Sequence, residues 1–277
     1  MILLIDADLV AYRCSASVEP HGDEDVARLR CDRLMQELLH TTGSEQYISF
    51  LTGPNNFRKK VNPEYKANRK DTIPPQWLQS CRRFLVEEWN SAVSDGCEAD
   101  DLLGINQTTD TMIASLDKDL LMIPGQHYNW VKQEQQFVDE IDGIKHLYKQ
   151  MLIGDRADNI FGVDGIGKVK AAKHIDHLET EDEMIETVFD LYGEDALRFY
   201  MNAQCLWIMR NEGETWADRL NHLTLPALLQ QEVDQKSSST KYLMGATSTE
   251  PTMSSQKMCG IPVVGEVTES TEINPVV

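Results

Sequence analysis

Apolar residues fill Met1 to Ile5 without interruption and give way at once to Asp6 and Asp8. This is the pattern of a short buried parallel strand whose carboxyl end opens onto a site, with Asp6 at its mouth. From Asp25 to His40 the apolar positions Val26, Leu29, Leu34 and Leu38 recur at helical spacing, and Tyr47 to Leu51 reads as a second strand, so the chain opens as β-α-β. Pro74 and Pro75 then punctuate; Trp77 to Trp89 sets Leu78, Cys81 and Leu85 on one helical face, and a short helix spans about Glu98 to Gln107. The strand Thr111 to Leu116 again ends in acids, Asp117 and Asp119. Strands over Tyr128–Val131 and Gln136–Asp139 complete an alternation that predicts an α/β fold, a mostly parallel sheet flanked by helices. Ligands of such sheets bind beyond the carboxyl ends of the strands.

From Ile144 the pattern turns helical: Ile144 to Ile153, a glycine-rich turn, Lys168 to Ile175, and weaker helices through Leu229. The division expected is an N-terminal α/β domain over 1–143, a helical subdomain over 144–235, and a flexible tail over 236–277. Those last 42 residues hold thirteen Ser or Thr and one aromatic, too little to bury a core.

Composition narrows the class. With 277 residues and 41% hydrophobic content the chain has enough for a real core, and the apolar run at its start is far shorter than a membrane span or signal segment. Cys14, Cys31, Cys81, Cys97, Cys205 and Cys259 form no CxxC pair, which fits free thiols and a cytoplasmic setting. The net charge of −19 argues against nonspecific binding to nucleic acid, yet the stretch from Arg58 to Lys70 sets Arg58, Lys59, Lys60, Lys66, Arg69 and Lys70 against Glu64 alone. Any DNA contact must therefore be local.

The acids carry the chemistry. Asp6, then Glu98, Asp100 and Asp101, then Asp117 and Asp119, then Asp155 and Asp158 each stand where an element begins or ends. Singly, such acids are ordinary caps and turns. Converging at one mouth, neighbours about 4 Å apart repel by on the order of 4 kcal/mol per pair at an effective dielectric near 20, which divalent cations would relieve. Oxygen ligands with no His or Cys pair nearby favour magnesium or manganese, and two such ions suit phosphodiester hydrolysis. Asp8 is left outside this set, because it shares a face with Asp6 only if the strand continues through it. The histidines show no ligand or catalytic spacing, and no nucleophilic Ser or Cys constellation stands out.

Five motifs in order, I-D-A-D at Ile5, F-R with P-E-Y-K-A-N-R over Phe57 to Arg69, E-A-D-D at Glu98, D-K-D at Asp117, and G-D-x-x-D-N with G-V-D-G-I-G-K over Gly154 to Lys168, resemble the flap-endonuclease and 5′ to 3′ exonuclease superfamily. The likeness is to the exonucleases of lytic tailed phages and the 5′-nuclease domain of bacterial DNA polymerases. It implies a PIN-like sheet followed by a helix-three-turn-helix, and divalent ions on Asp6, Glu98, Asp100, Asp101, Asp117, Asp119, Asp155 and Asp158. It also implies a flexible basic arch near 57–75 whose Lys66 and Arg69 contact the scissile phosphate while Tyr65 stacks on a terminal base. Lys and Arg neutralise phosphate and an aromatic face supports an unpaired base. The basic patch extends that DNA surface through Arg58, Lys59, Lys60 and Lys70.

Gly162 to Lys168 also matches G-x-x-x-x-G-K, but Val169 follows instead of Ser or Thr and the preceding segment is helical, which rejects a P-loop. Read as a helical hairpin, Gly165 and Gly167 let backbone approach a phosphate, with Lys168, Lys170 and Lys173 adding charge. The resemblance further implies a potassium-like ion on carbonyls of Val163, Gly165 and Ile166. One departure is Gly53: similar family members place an aspartate near the end of the second strand, where this chain has T-G-P-N-N. The expectation is therefore a metal-dependent 5′ nuclease acting on DNA with a 5′ end, flap or nick, or on RNA in RNA–DNA hybrids, in a bacterial or phage-infected cytoplasm. The alternatives are a PIN-like ribonuclease, against which the glycine hairpin and P-E-Y-K-A-N-R speak, and a DNA-binding relative whose catalysis is weakened or lost at Gly53. The tail is a candidate contact for a replication partner.

Overall fold

In the computed structural model, which describes residues 1–245 apart from Pro20 together with Gly265 and Glu266, β1 (Ile2–Asp6) runs straight into α1 (Ala7–Ala16). The turn is made by the Asp6 carboxylate, which accepts the Leu9 N–H at 3.1 Å and caps the helix. Helix α2 (Glu24–Thr42), capped by Asp23 and ended by Gly43 in the left-handed region, returns the chain to β2 (Gln46–Leu51). Then come α3 (Arg58–Val61), α4 (Leu78–Trp89), β3 (Ala92–Val93), α5 (Ala99–Asn106), β4 (Thr111–Ala114), β5 (Gly125–Asn129) and β6 (Glu134–Val138). Helix α6 (Glu140–Ile153) is followed by the small hairpin of β7 (Gly154–Asp155) and β8 (Ile160–Phe161), and by α7 (Lys168–Ile175), α8 (Glu181–Leu191), α9 (Ala196–Leu206) and α10 (Ala227–Gly245); Gly265–Glu266 form β9.

The sheet order is β3-β2-β1-β4-β5-β6, with β9 also on β2. β1 pairs in parallel with β2 and β4, β3 and β5 extend the parallel set, and β6 is antiparallel to β5. The mostly parallel sheet expected from the alternation is thus present, closed at one edge by an antiparallel hairpin. Alternation along β1 divides the core: Leu3 and Ile5 pack with α1, α2 and α4, while Leu4, with Ile48 and Phe50 of β2, joins one continuous core with α5, α6, α8 and α9. Each such buried aliphatic side chain contributes about 1.5–3 kcal/mol, so both faces hold β1 and fix where its carboxyl end points.

The pattern missed α1, whose buried face is small, chiefly Val10, Ala11 and Cys14. Helix α10 runs into the span expected as a flexible tail, because Leu229 and Val233 seat it on the helical core. The remainder of that tail lies outside the described residues except for β9, whose Gly265 and Glu266 pair with Tyr47 and Gln46. Among the described residues no helix is long and apolar enough to cross a membrane.

Candidate functional site

An open cleft of about 1250 Å³ lies at the carboxyl ends of β1 and β4. Carboxylates of Asp6, Asp8, Glu98, Asp100, Asp117, Asp119, Asp155 and Asp158 line it. Each is delivered by a local turn. Asp6 ends β1 and accepts the Ser115 hydroxyl at 2.7 Å; Glu98 is the N-cap of α5 and Asp100 lies in its first turn. Asp117 follows β4 and accepts the Asp119 N–H at 2.9 Å, and Asp155 accepts the Ala157 N–H at 2.7 Å in the β7–β8 hairpin.

Charge is crowded here. Burial, then the neighbouring Asp8 and Asp117 carboxylates, push Asp6 up to about 7 against the bonds from Ser115 and Leu9. Burial, then Asp117 and Asp155, push Asp119 up to about 7, and burial with Asp6 and Asp117 raises Asp100 well above the usual carboxylate range. Burial also raises Asp158. Glu98 goes the other way: burial opposes its charge, but Arg58 and Lys66 outweigh burial and hold it low. These are oxygen donors short of positive charge, the chemistry of a hard divalent cation. Among the described residues no three His, Cys, Asp or Glu side chains close around a single point.

Asp101 does not join them. It is fully buried and accepts both Nη atoms of Arg58 at 2.6 and 2.8 Å, and the N–H groups of Glu98 at 2.9 Å and Met209 at 3.1 Å. Arg58, expected on the DNA surface, is only 2% exposed and also donates to the carbonyls of Cys205 and Trp207. The pair joins α3, α5 and the end of α9 as an internal tie, which corrects both expectations: adjacent helical acids face different ways, and Asp101 is the one turned inward.

Tyr65 is also buried, at 3% exposure. Its hydroxyl stands 2.9 Å from Glu98 Oε2 and 2.7 Å from Asp158 Oδ2, so the ring has no open face for a base. Lys66 pairs with Glu98 and Asp158, and Arg69 pairs with Asp158 at 2.7 Å. The arch is pinned: Lys66 N–H donates to the Asp158 carbonyl at 2.9 Å, Asn68 to that of Arg156 at 2.7 Å, and Asn159 to that of Glu64 at 2.8 Å. A flexible arch is therefore corrected to a short strap tied across to the β7–β8 hairpin. Lys59, Lys60 and Lys70 remain exposed on it, and Lys59 reaches the cleft.

At the helical hairpin Gly165 takes φ +75°, open to solvent, and Gly167 caps α7. Lys168 lines the cleft, and Lys170 and Lys173 are exposed along α7. Two of the three carbonyls expected to take a monovalent cation already accept a hydrogen bond: Lys170 Nζ donates to the Gly165 oxygen at 2.8 Å, and the Ile166 N–H to the Val163 oxygen at 3.1 Å.

Gly53 has a steric reason. A Cβ there would stand 1.9 Å from the Ser94 carbonyl oxygen, because Ser94 N–H donates to Leu51 O at 2.8 Å and Gly53 N–H to Ser94 Oγ at 3.0 Å. Asp8 is the acid beside this position: it accepts the Thr52 N–H at 2.8 Å and pairs with Arg82. Leaving Asp8 out of the site is corrected, since the chain turns into α1 after Asp6 and strand alternation no longer applies. Tyr12, half exposed one turn beyond Asp8, is the tyrosine in the cleft wall, and His146 also lines it, neutral because burial, then Lys149, lowers it to about 4. Only an i to i+4 step from Asp8 hints at Tyr12 in the sequence, and no local signal marks His146.

Residues 1–150 match the family model described as 5′-3′ exonuclease, N-terminal resolvase-like domain. DNA polymerase I of Bacillus caldotenax is 24% identical over 224 residues, covering 70% of this chain and 25% of that one; the chain thus spans about a quarter of that polymerase. The 5′-3′ exonuclease of Mycoplasma pneumoniae is 30% identical over 221 residues, 66% of this chain and 74% of its own. Among solved structures, the T5 D15 protein co-crystallised with metal ions superposes with a TM-score of 0.58 at 16% identity, covering 89% of this chain and 99% of its own, and so shares the fold.

Proposed function

Because the chain belongs to the 5′-3′ exonuclease family, we propose that its cleft hydrolyses phosphodiester bonds near free 5′ ends of DNA, flaps and nicks, with divalent cations. The observation that carries this reading is the set of carboxylates from β1, α5, the β4 end and the β7–β8 hairpin that line one cleft, of which Asp6, Asp100 and Asp119 are raised by burial and by neighbouring acids. Asp6, Glu98, Asp100, Asp117, Asp119, Asp155 and Asp158 would hold magnesium or manganese; Asp101 would keep α5 in place behind them. Such ions supply neutralisation of charge and polarisation of water at a phosphodiester. Lys66 and Arg69 sit at the rim already paired with Glu98 and Asp158, where an arriving phosphate exchanges with those carboxylates for the same charge-assisted bonds. Tyr12 offers the aromatic face that buried Tyr65 does not. The glycine hairpin and α7 approach a duplex backbone through amides, Lys168 and Lys173, with Lys170 supplying at Gly165 the charge that a potassium ion would bring.

RNA in an RNA–DNA hybrid fits the same contacts, since none requires a deoxyribose. Gly53 favours a second reading, a DNA-binding relative without cleavage; Asp8 beside it supplies a carboxylate to that wall. The test is a 5′-labelled flap duplex beside a covalently closed circle, in magnesium or manganese. The expected result is cutting near the flap's 5′ end to leave 5′ phosphates, with the circle intact. Equal cutting of the circle would overturn the requirement for an end, and binding without cutting in either metal would establish the second reading.

A further inference from the structure

We propose that Arg82 of α4 binds a backbone phosphate of the nucleic acid in the cleft, as a contact separate from the basic strap and the glycine hairpin; this rests on the nuclease reading above. Arg82 lines the cleft with its side chain 22% exposed, on a wall built from the packed helices α1 and α4. One end of the guanidinium pairs with Asp8, and the other donates to the carbonyl of Thr52. A guanidinium has five N–H donors in a rigid fork, so two anchors orient it and leave capacity for a phosphate oxygen.

The anchors are themselves held. Asp8 accepts the Thr52 N–H at 2.8 Å, so Asp8 and Arg82 grip both sides of residue 52. Thr52 Oγ1 in turn accepts the Ala99 N–H at 3.0 Å, at the start of the helix that presents Glu98 and Asp100. Arg82 is thereby registered against the carboxylates, while a flexible lysine would not be. The strand end could not supply this wall, because Gly53 has no room for a side chain against Ser94. Of the strap cations, Arg58 is buried against Asp101, and Lys66 and Arg69 stand beside Glu98 and Asp158, so a phosphate held against α1 and α4 needs a different partner.

The experiment measures binding of a 5′-flap duplex by fluorescence anisotropy across salt concentrations, in magnesium, in the Asp117→Ala background. Arg82→Ala should weaken binding roughly three- to tenfold and flatten the slope of log Kd against log salt by about 0.9, one phosphate contact. Arg82→Gln, which keeps a donor to Thr52 but no charge, should flatten the slope equally even where Arg82→Ala lowers the melting temperature. An unchanged slope in Arg82→Gln overturns the proposal and leaves Arg82 as a structural tie. A flattened slope in a protein whose Asp117 form never cut DNA keeps the phosphate contact and removes the nuclease reading. No binding of the flap by the parent overturns both.

Discussion

Arg58 and Asp101 show how far a residue's role departs from its composition. In the sequence Arg58 opens a basic stretch and Asp101 closes an acidic motif, yet in the fold each satisfies the other, 43 residues apart, out of contact with solvent. Removing one partner of a buried pair leaves the other charge uncompensated, so Arg58→Ala should lower stability by about 3–5 kcal/mol in urea unfolding. A loss under about 1 kcal/mol, with weaker DNA binding, would return Arg58 to the DNA surface. Gly53→Asp should also destabilise, by about 1–3 kcal/mol, because the new Cβ must displace the Ser94 backbone. A variant with unchanged melting and tighter manganese binding would show instead that the position awaits an acid. Which acids stand at element ends was legible in the sequence, since strands and helices end where apolar runs end. Which of Asp100 and Asp101 faces the cleft was not, because helix phase and a partner far along the chain decide it. Tyr65 departs from the stacking role that the resemblance implies for the same reason: nothing local says that its hydroxyl meets Asp158, 93 residues on.

At the scale of elements, β1, β2, β4 and α7 were readable because each is a strong apolar or periodic run with a clear stop. Helix α1 was hidden because Asp6 serves at once as strand end, helix cap and cleft acid. The flexible arch near 57–75 is what the family resemblance implies; the tethers of the strap are backbone bonds and amide side chains that no motif reveals. These tethers predict slow trypsin cleavage at Lys66, Arg69 and Lys70 in the free protein. Asn68→Ala with Asn159→Ala, which removes two of them, should speed cleavage there several-fold while the rest of the chain stays resistant. Rapid cutting of the unaltered strap would contradict a pinned segment.

For the whole molecule, the crowded carboxylates set a pH dependence. Asp6 and Asp119 have folded values near 7, above their ordinary 3.8. A group raised in the folded state stabilises below its unfolded value and loses that contribution as pH rises through the folded one, so the window lies between about 4 and about 7. Glu98, held low, works in the opposite sense, and only below its ordinary 4.5. The protein freed of divalent ions should therefore melt at a lower temperature at pH 8 than at pH 6, and manganese should raise the melting temperature more at pH 8, where protons no longer compete. Equal shifts at both values would place the metal away from Asp6 and Asp119.

Whether the cleft acids carry out metal-dependent cleavage at 5′ ends is decided by one comparison: cutting of a 5′-labelled flap duplex in magnesium or manganese by the unaltered protein and by Asp117→Ala. Metal-dependent cutting that falls at least a hundredfold in Asp117→Ala, with the fold intact by circular dichroism, is the result expected. Equal cutting by both proteins, or none by the unaltered protein while it still binds the duplex, would contradict it.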